Sequence, residues 1–459
     1  MLVRLGTLIV LLLTLATVPA RAADPTVLTL ATTQGYAGAQ APLYVVLTAS
    51  DGTPLAGASV VVERRQDGAW VPVTTVVTDA DGKVRATAAR AKSRWDNTFR
   101  ATYAGDATHD AASASAKAPL IRRMGVVKVG GDRSVVDERS VRINVSSYSS
   151  TSVPVVGLVY VDRSVSHGAW QRYRTLRTDS RGRATFVTRP RADSRWRATT
   201  WSQDWVAGDK SPVHAIDNRP PGVPVTLPSA APKPTVKVPA QPRATTPGAD
   251  PVVTGIPDSV WTSMVGRSWR SGCPVGRSGL RLLRINYWGY DGYRYRGELV
   301  AATSAIDNMS RALKGMYDGG YPLRSLIRVD YFGYSSRLKG GDDYRSMAAG
   351  NTSAFNCRGV VGNPGVRSPH ATGRALDINT WENPYRSAQG TVPNTWWPSR
   401  SDKRVAWRTR SHPVVQIVLK AGFSWTYGTS DSQHFDATSG GSGRRLVVDA
   451  PMCGGYPCD

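Results

Sequence analysis

Three short patterns in the first half of the chain occur twice, about one domain length apart, and this repetition limits the fold more than any other feature. Gly68-Ala-Trp70 returns as Gly168-Ala-Trp170, and Thr78-Asp-x-x-Gly82 returns as Thr178-Asp-x-x-Gly182, both at an offset of 100 residues. Ser93-Arg-Trp95 returns as Ser194-Arg-Trp196, one residue further along. A unit of roughly 100 residues is the size of one β-sandwich. Within each unit, short apolar runs such as Ala58–Glu63 and Val155–Tyr160 alternate with turn signals such as Asp81-Gly82. No long stretch of either unit carries helical periodicity, so two all-β sandwiches are expected, over residues 23–121 and 122–218. Trp70 and Trp170 recur at matched turn positions, which points to packing on the sandwich rather than to platforms for sugars.

Between Pro220 and Pro257 the chain holds eleven prolines, counting both ends. That composition predicts a linker over 219–258, in extended polyproline geometry at about 3.1 Å per residue and on the order of 100 Å long. A third domain then occupies 259–459. A helix is expected from Glu298 to about Tyr317, because Leu299, Ala302, Ile306, Met309, Leu313 and Met316 recur at steps of three and four. A second helix is expected over Pro413–Ala421, with Ser411 near its cap. Strands are expected at Leu280–Tyr287, Leu326–Phe332, Ala375–Asn379 and His434–Ala437, giving an α+β domain with a cleft on the sheet face.

This last domain carries the chemistry. Ser368-Pro-His-Ala-Thr-Gly-Arg-Ala-Leu-Asp-Ile-Asn379 supplies His370 and Asp377, and Asp431-Ser-Gln-His-Phe435 supplies His434. Two imidazoles and one carboxylate form a three-ligand set that leaves a position on zinc open for water. Pro369 and Gly373 read as a turn entering a strand, on which Leu376 and Ile378 face the core while Asp377 and Asn379 face a cleft. His412, before Pro413, reads as a structural or capping residue. A zinc-bound water needs a nearby base. Asp431, three residues before His434, and Asp436, two residues after it, are the candidates.

The same residues carry a family resemblance. Asn351-Thr-Ser-Ala-Phe-Asn-Cys-Arg358, the Ser368–Asn379 run, Asn383-Pro-Tyr385 and Asp431-x-x-His-Phe435 together resemble the VanY-like zinc peptidases. These are D-alanyl-D-alanine carboxypeptidases and L-alanyl-D-glutamate endopeptidases of bacterial wall metabolism. The resemblance spans roughly residues 270–440. It implies that His370, Asp377 and His434 hold Zn2+, that Asp431 is the general base, and that Ser368 and Arg358 contact substrate. An arginine fork could clamp a peptide carboxylate in a way lysine cannot. One departure touches the groove: relatives carry Trp-Gly-Gly-x-Trp before the last histidine, where this chain has Ser424-Trp-Thr-Tyr-Gly-Thr-Ser430. The two front units resemble bacterial immunoglobulin-like domains and lack the cysteine pair of antibody domains.

Compartment and charge agree with an extracellular wall enzyme. Met1–Ala22 reads as a secretory signal, with Arg4, an apolar run from Leu8 to about Leu15 and Ala20-Arg-Ala22. That run is shorter than the roughly 20 residues of a membrane span, so no transmembrane anchor is expected. Cys273, Cys357, Cys453 and Cys458 allow three disulfide pairings; Cys273–Cys357 with Cys453–Cys458 is favoured. The net charge of +24 is divided evenly, with 26 basic and 14 acidic side chains after residue 258. Such a field favours anionic wall polymers and peptidoglycan carboxylates; no nucleic-acid motif accompanies it. The expectation is a secreted, monomeric zinc peptidase acting on peptidoglycan stem peptides. The alternative is a non-catalytic wall-binding or adhesive protein with a structural zinc site, and a zinc peptidase acting on other peptides is a third reading.

Overall fold

In the computed structural model, residues 23–438 are described, with one further pair of short strands, Met452–Cys453 and Tyr456–Pro457. The expected signal segment Met1–Ala22 lies outside the described residues, as does Cys458 and with it the Cys453–Cys458 pair. The chain divides into two compact units, residues 1–135 with 139–217, and 136–138 with 218–459.

The first unit holds two all-β sandwiches, as the repeat predicts. In the first, Thr26–Thr32, Gln40–Ala49 and Lys83–Ala89 form one sheet, and Ala69–Val77, Ser59–Gln66, Thr98–Tyr103 and Ala112–Lys117 form the other, each in that order. Strict alternation along Gln40–Ala49 turns Leu43, Val45 and Leu47 inward, where they meet Val60, Val62 and Phe99. The second sandwich repeats the plan around Ile143, Val161 and Trp196. Here the expected strand at Val155–Tyr160 begins later, as Leu158–Val165; Val155 packs instead with Trp205 and Val206 against Ala37 and Leu120 of the first sandwich. Trp70 and Trp170 each lie under an arginine, Arg100 at 4.5 Å and Arg197 at 4.2 Å. Both rings are packed on the sheet face.

The second unit is α+β. Val252–Thr254, Leu280–Trp288 and Arg294–Ala302 form an antiparallel sheet. The helix Ile306–Asp318 packs on it and on a second helix, Pro413–Lys420, through Met309, Leu313, Val414 and Val418. The helix expected from Glu298 thus starts eight residues late. Leu299 fits a two-residue period with Ala301 as well as a helical one with Ala302, and nine paired positions with Leu280–Trp288 decide for strand. The expected strand Leu326–Phe332 is also corrected. Only Ser325–Leu326 pairs, and Val329–Phe332 coils into a 3-10 turn. The helix at Pro413 forms as expected, and His412, read as a structural or capping residue, caps it: its Nδ1 accepts from the Val414 amide at 3.2 Å.

The proline-rich segment lies within the second unit rather than spanning free of it. Leu227 and Ala231 pack beside Trp381 and Trp397, and Val236 and Val238 pack on Ile327 and Phe332. The Pro232 carbonyl accepts from Trp381 Nε1 at 2.7 Å. Composition alone overlooks these few apolar side chains, which anchor an otherwise extended chain. Among the described residues no helix is long and apolar enough to cross a membrane.

Candidate metal centre

His370 stands on a 3-10 turn, Pro369–Thr372, that is fixed at both ends. Ser368 Oγ accepts from the His370 amide at 3.3 Å, and Gly373 closes the turn at φ +70°. Gly373 is required there. Its conformation is left-handed, and a Cβ would lie 2.7 Å from the Ala302 amide nitrogen. Asp377 ends the short strand Ala375–Asp377, directly opposite His434 in the antiparallel register with His434–Ala437. Residues opposite one another share a sheet face, so strand pairing alone brings these two side chains together. Leu376 and Ile378 are fully buried in the core, as expected. Asn379 is not on the cleft side: it leaves the strand at φ +47° and binds the Arg324 amide and the Pro322 carbonyl.

The three side chains converge. His370 Nε2 lies 3.1 Å from Asp377 Oδ2, His434 Nδ1 lies 3.2 Å from Asp377 Oδ1, and the two nitrogens are 3.2 Å apart. Zinc bonds of about 2.0–2.1 Å at tetrahedral angles set neighbouring ligand atoms about 3.3 Å apart, so the spacing suits a single ion. The far ring nitrogens decide the tautomers. His370 Nδ1 meets the Ala354 carbonyl at 2.7 Å, a partner that can only accept, so the proton sits there and Nε2 presents a lone pair. His434 Nε2 meets Asp436 Oδ1 at 3.0 Å, which likewise turns the Nδ1 lone pair inward. Two imidazole lone pairs and a carboxylate facing one another at this distance fit a cation. The cluster could bind a metal, and its members are buried.

Asp436 is therefore placed as the group that orients His434. Its position two residues along the same strand as His434 suits this role as well as that of a base. Thr426 Oγ1 in turn donates to Asp436 Oδ2 at 2.5 Å, so the stretch that departs from the family pattern supports the ligand from behind. The Gln433 amide donates to Asp377 Oδ2 at 3.3 Å. Neither contact was foreseen, since each depends on strand pairing.

Asp431 lies on the turn before the His434 strand, fully buried, with its backbone bridged to Tyr385. Trp407 and Trp425 both donate to the Ser432 carbonyl, at 2.6 and 3.1 Å, and fix that turn. Ser368 is buried as the cap of the His370 turn. Arg358 is buried and ion-paired to Asp343 at 2.8 Å, while its Nη1 donates to the Gly359 carbonyl. Cys273–Cys357 is formed, with Cα atoms 6.0 Å apart, next to that arginine. The acid Glu382 is buried with Tyr290 and Arg324. Burial pushes its carboxyl up, and Arg324 pulls it back down.

Residues 361–437 match the family model described as D-alanyl-D-alanine carboxypeptidase. This segment is VanY-like. It contains Ser368, His370, Asp377, Asp431 and His434, while Arg358 lies just ahead of it. At family level this match supports a peptidase that acts on peptidoglycan. No curated protein matches the chain. Among solved structures, the native Escherichia coli alpha-2-macroglobulin matches 61% of the chain at 9% identity and a TM-score of 0.20. The trypsin-activated form from the same organism matches 62% at 10% identity and the same score. The chain spans only 20% and 22% of those proteins' lengths, and overlaps of this quality carry no argument.

Proposed function

We propose that the chain is a secreted, wall-associated zinc peptidase that hydrolyses peptide bonds in peptidoglycan stem peptides, of D,D-carboxypeptidase or L-alanyl-D-glutamate endopeptidase type. The observation that carries this reading is the convergence of His370 Nε2, His434 Nδ1 and the Asp377 carboxylate at 3.1–3.2 Å, with both outer ring nitrogens already engaged. Bound there, zinc supplies Lewis acidity and a water acidified to a pKa of about 7. Asp431 is the base of this reading: it takes the proton of the attacking water and returns it to the departing amine. Asp436 and the Ala354 carbonyl hold the two imidazoles in register throughout. Ser368 and Arg358 are its substrate contacts. A stem-peptide carboxylate reaching Arg358 must share the guanidinium with Asp343.

The near-complete burial of all three candidate ligands, at most 2% exposed, favours a second reading, a structural zinc site in a wall-binding protein. A structural site needs no acid three residues from a ligand, and Asp431 supplies one. The two separate on incubation of the purified protein with peptidoglycan fragments of differing stem composition, with and without chelator, followed by mass analysis. Chelator-sensitive loss of a residue or cleavage within the stem supports the peptidase. Unchanged masses across all fragments support the binding protein.

A further inference from the structure

The two sandwiches differ in charge although they share a plan. Residues 23–121 hold nine basic and nine acidic side chains, whereas residues 122–218 hold seventeen and nine. Part of the excess falls on one element. In the first sandwich the edge strand Ala69–Val77 carries no charged residue, and Pro72, Thr74 and Val77 pair with Glu63, Val62 and Ser59. In the second, the matching edge strand Gln171–Arg177 places Arg172, Arg174 and Arg177 opposite Asp162, Val161 and Leu158. Three arginines thus stand at the register positions of a proline, a threonine and a valine. Protection of an edge from pairing does not require them, because a single proline provides it in the first sandwich.

Both modules keep a shared unit of acid, arginine and tryptophan. Glu63 holds Arg100 at 2.6 Å over Trp70, and Asp162 holds Arg197 at 3.3 Å over Trp170. That unit belongs to the sandwich. Only the second module extends it. Asp162 also binds Arg172 at 2.8 Å, Arg172 stacks on Tyr160 at 4.6 Å, and Tyr160 meets Trp201 edge-on. Trp201 is 73% exposed, and Arg177, opposite the exposed Leu158, shares this outer face; Arg174, opposite the buried Val161 and over Phe186 at 5.6 Å, lies on the other. A row of guanidiniums stacked on half-buried rings and ending at the exposed Trp201 suits a linear polyanion with sugar or polyol units. The cations meet its charges and the rings meet its apolar faces.

We infer that the outer face of the Gln171–Arg177 sheet in the second sandwich binds an anionic wall glycopolymer of the phosphodiester type, while the first sandwich does not. The surface stands on its own residues; the choice of a wall polymer over another polyanion rests on the extracellular reading above. Binding is therefore measured with chelator present, so that loss of peptidase action and loss of binding are read separately.

The test uses the full-length protein and fluorescently labelled poly(glycerol phosphate), between 50 and 200 mM salt. Arg172→Gln with Arg177→Gln should weaken binding by about tenfold or more at low salt and flatten its salt dependence, since each phosphate contact contributes a slope of roughly −0.7 on a single-stranded polyanion. Trp201→Ser should weaken binding while leaving that slope intact. Arg65→Gln with Arg85→Gln, an equal loss of charge on the first sandwich, should change affinity less than about twofold. Equal losses from the two double variants overturn the assignment, as do unchanged affinities for both second-sandwich variants. Tighter binding of a single-stranded oligonucleotide of matched charge overturns the choice of partner.

Discussion

Replacing Asp436 by alanine separates orienting a ligand from acting as the base. In the native protein Asp436 Oδ1 accepts from His434 Nε2 at 3.0 Å, and Thr426 steadies its other oxygen. Without that carboxylate, His434 can turn or take the other tautomer, which removes the inward lone pair from Nδ1. Losses of this kind cost about 10–100-fold in metal affinity, or about 1.4–2.7 kcal/mol. The Asp436 side chain is 30% exposed, so water can replace part of its role, and a loss in the lower half of that range, about 10–30-fold, is expected. Competition for zinc between the protein and a chromogenic chelator measures it directly. Turnover on stem-peptide fragments should fall at limiting zinc and recover when zinc is in excess. Asp431→Ala should behave oppositely, with zinc affinity kept and turnover lost by about 100-fold or more at any zinc concentration. If Asp431→Ala weakens zinc as strongly as Asp436→Ala, or if excess zinc fails to rescue Asp436→Ala, the roles assigned to the two carboxylates are wrong.

The disulfide Cys273–Cys357 closes a segment with a sequence separation of 84, so its removal by paired serine substitution should cost about 4–5 kcal/mol, read from urea unfolding of the second unit. Burial lowers the pKa of His412 below its ordinary 6.5, against the pull of Asp402, and it is the neutral ring whose Nδ1 accepts the Val414 amide as a helix cap. The unfolded chain then takes up the proton first, so this contribution is complete above about 6.5 and is lost as pH falls below it. In chelator, His412→Asn should flatten the loss of melting temperature over that acid range; an unchanged profile refutes the cap assignment. A protein starting at Asp258 loses the partners of Trp381, Ile327 and Phe332, at about 1 kcal/mol or more for each side chain left uncovered. Its melting temperature should fall well below that of one starting at Asn218, and equal values would show that the proline-rich segment contributes nothing.

The sequence by itself was enough for the two sandwiches, because inward and outward side chains alternate every two residues and the same turns return a domain length later. It was also enough to nominate His370, Asp377 and His434, since few histidines remain after the proline-rich segment and their local patterns are specific. It was not enough for Glu298–Ala302, where Leu299 satisfies a helical and an extended period equally; long-range pairing with Leu280–Trp288 settled that element. Tertiary structure alone decided the supporting contacts: Asp377 opposite His434, Asp436 behind the ring, Ala354 under His370 and Asp343 beside Arg358. It also laid the proline-rich segment on the second unit. Residue type records which atoms can bind a metal or bury an apolar surface, but which of them meet is a property of strand register, and register is set by contacts far apart along the chain.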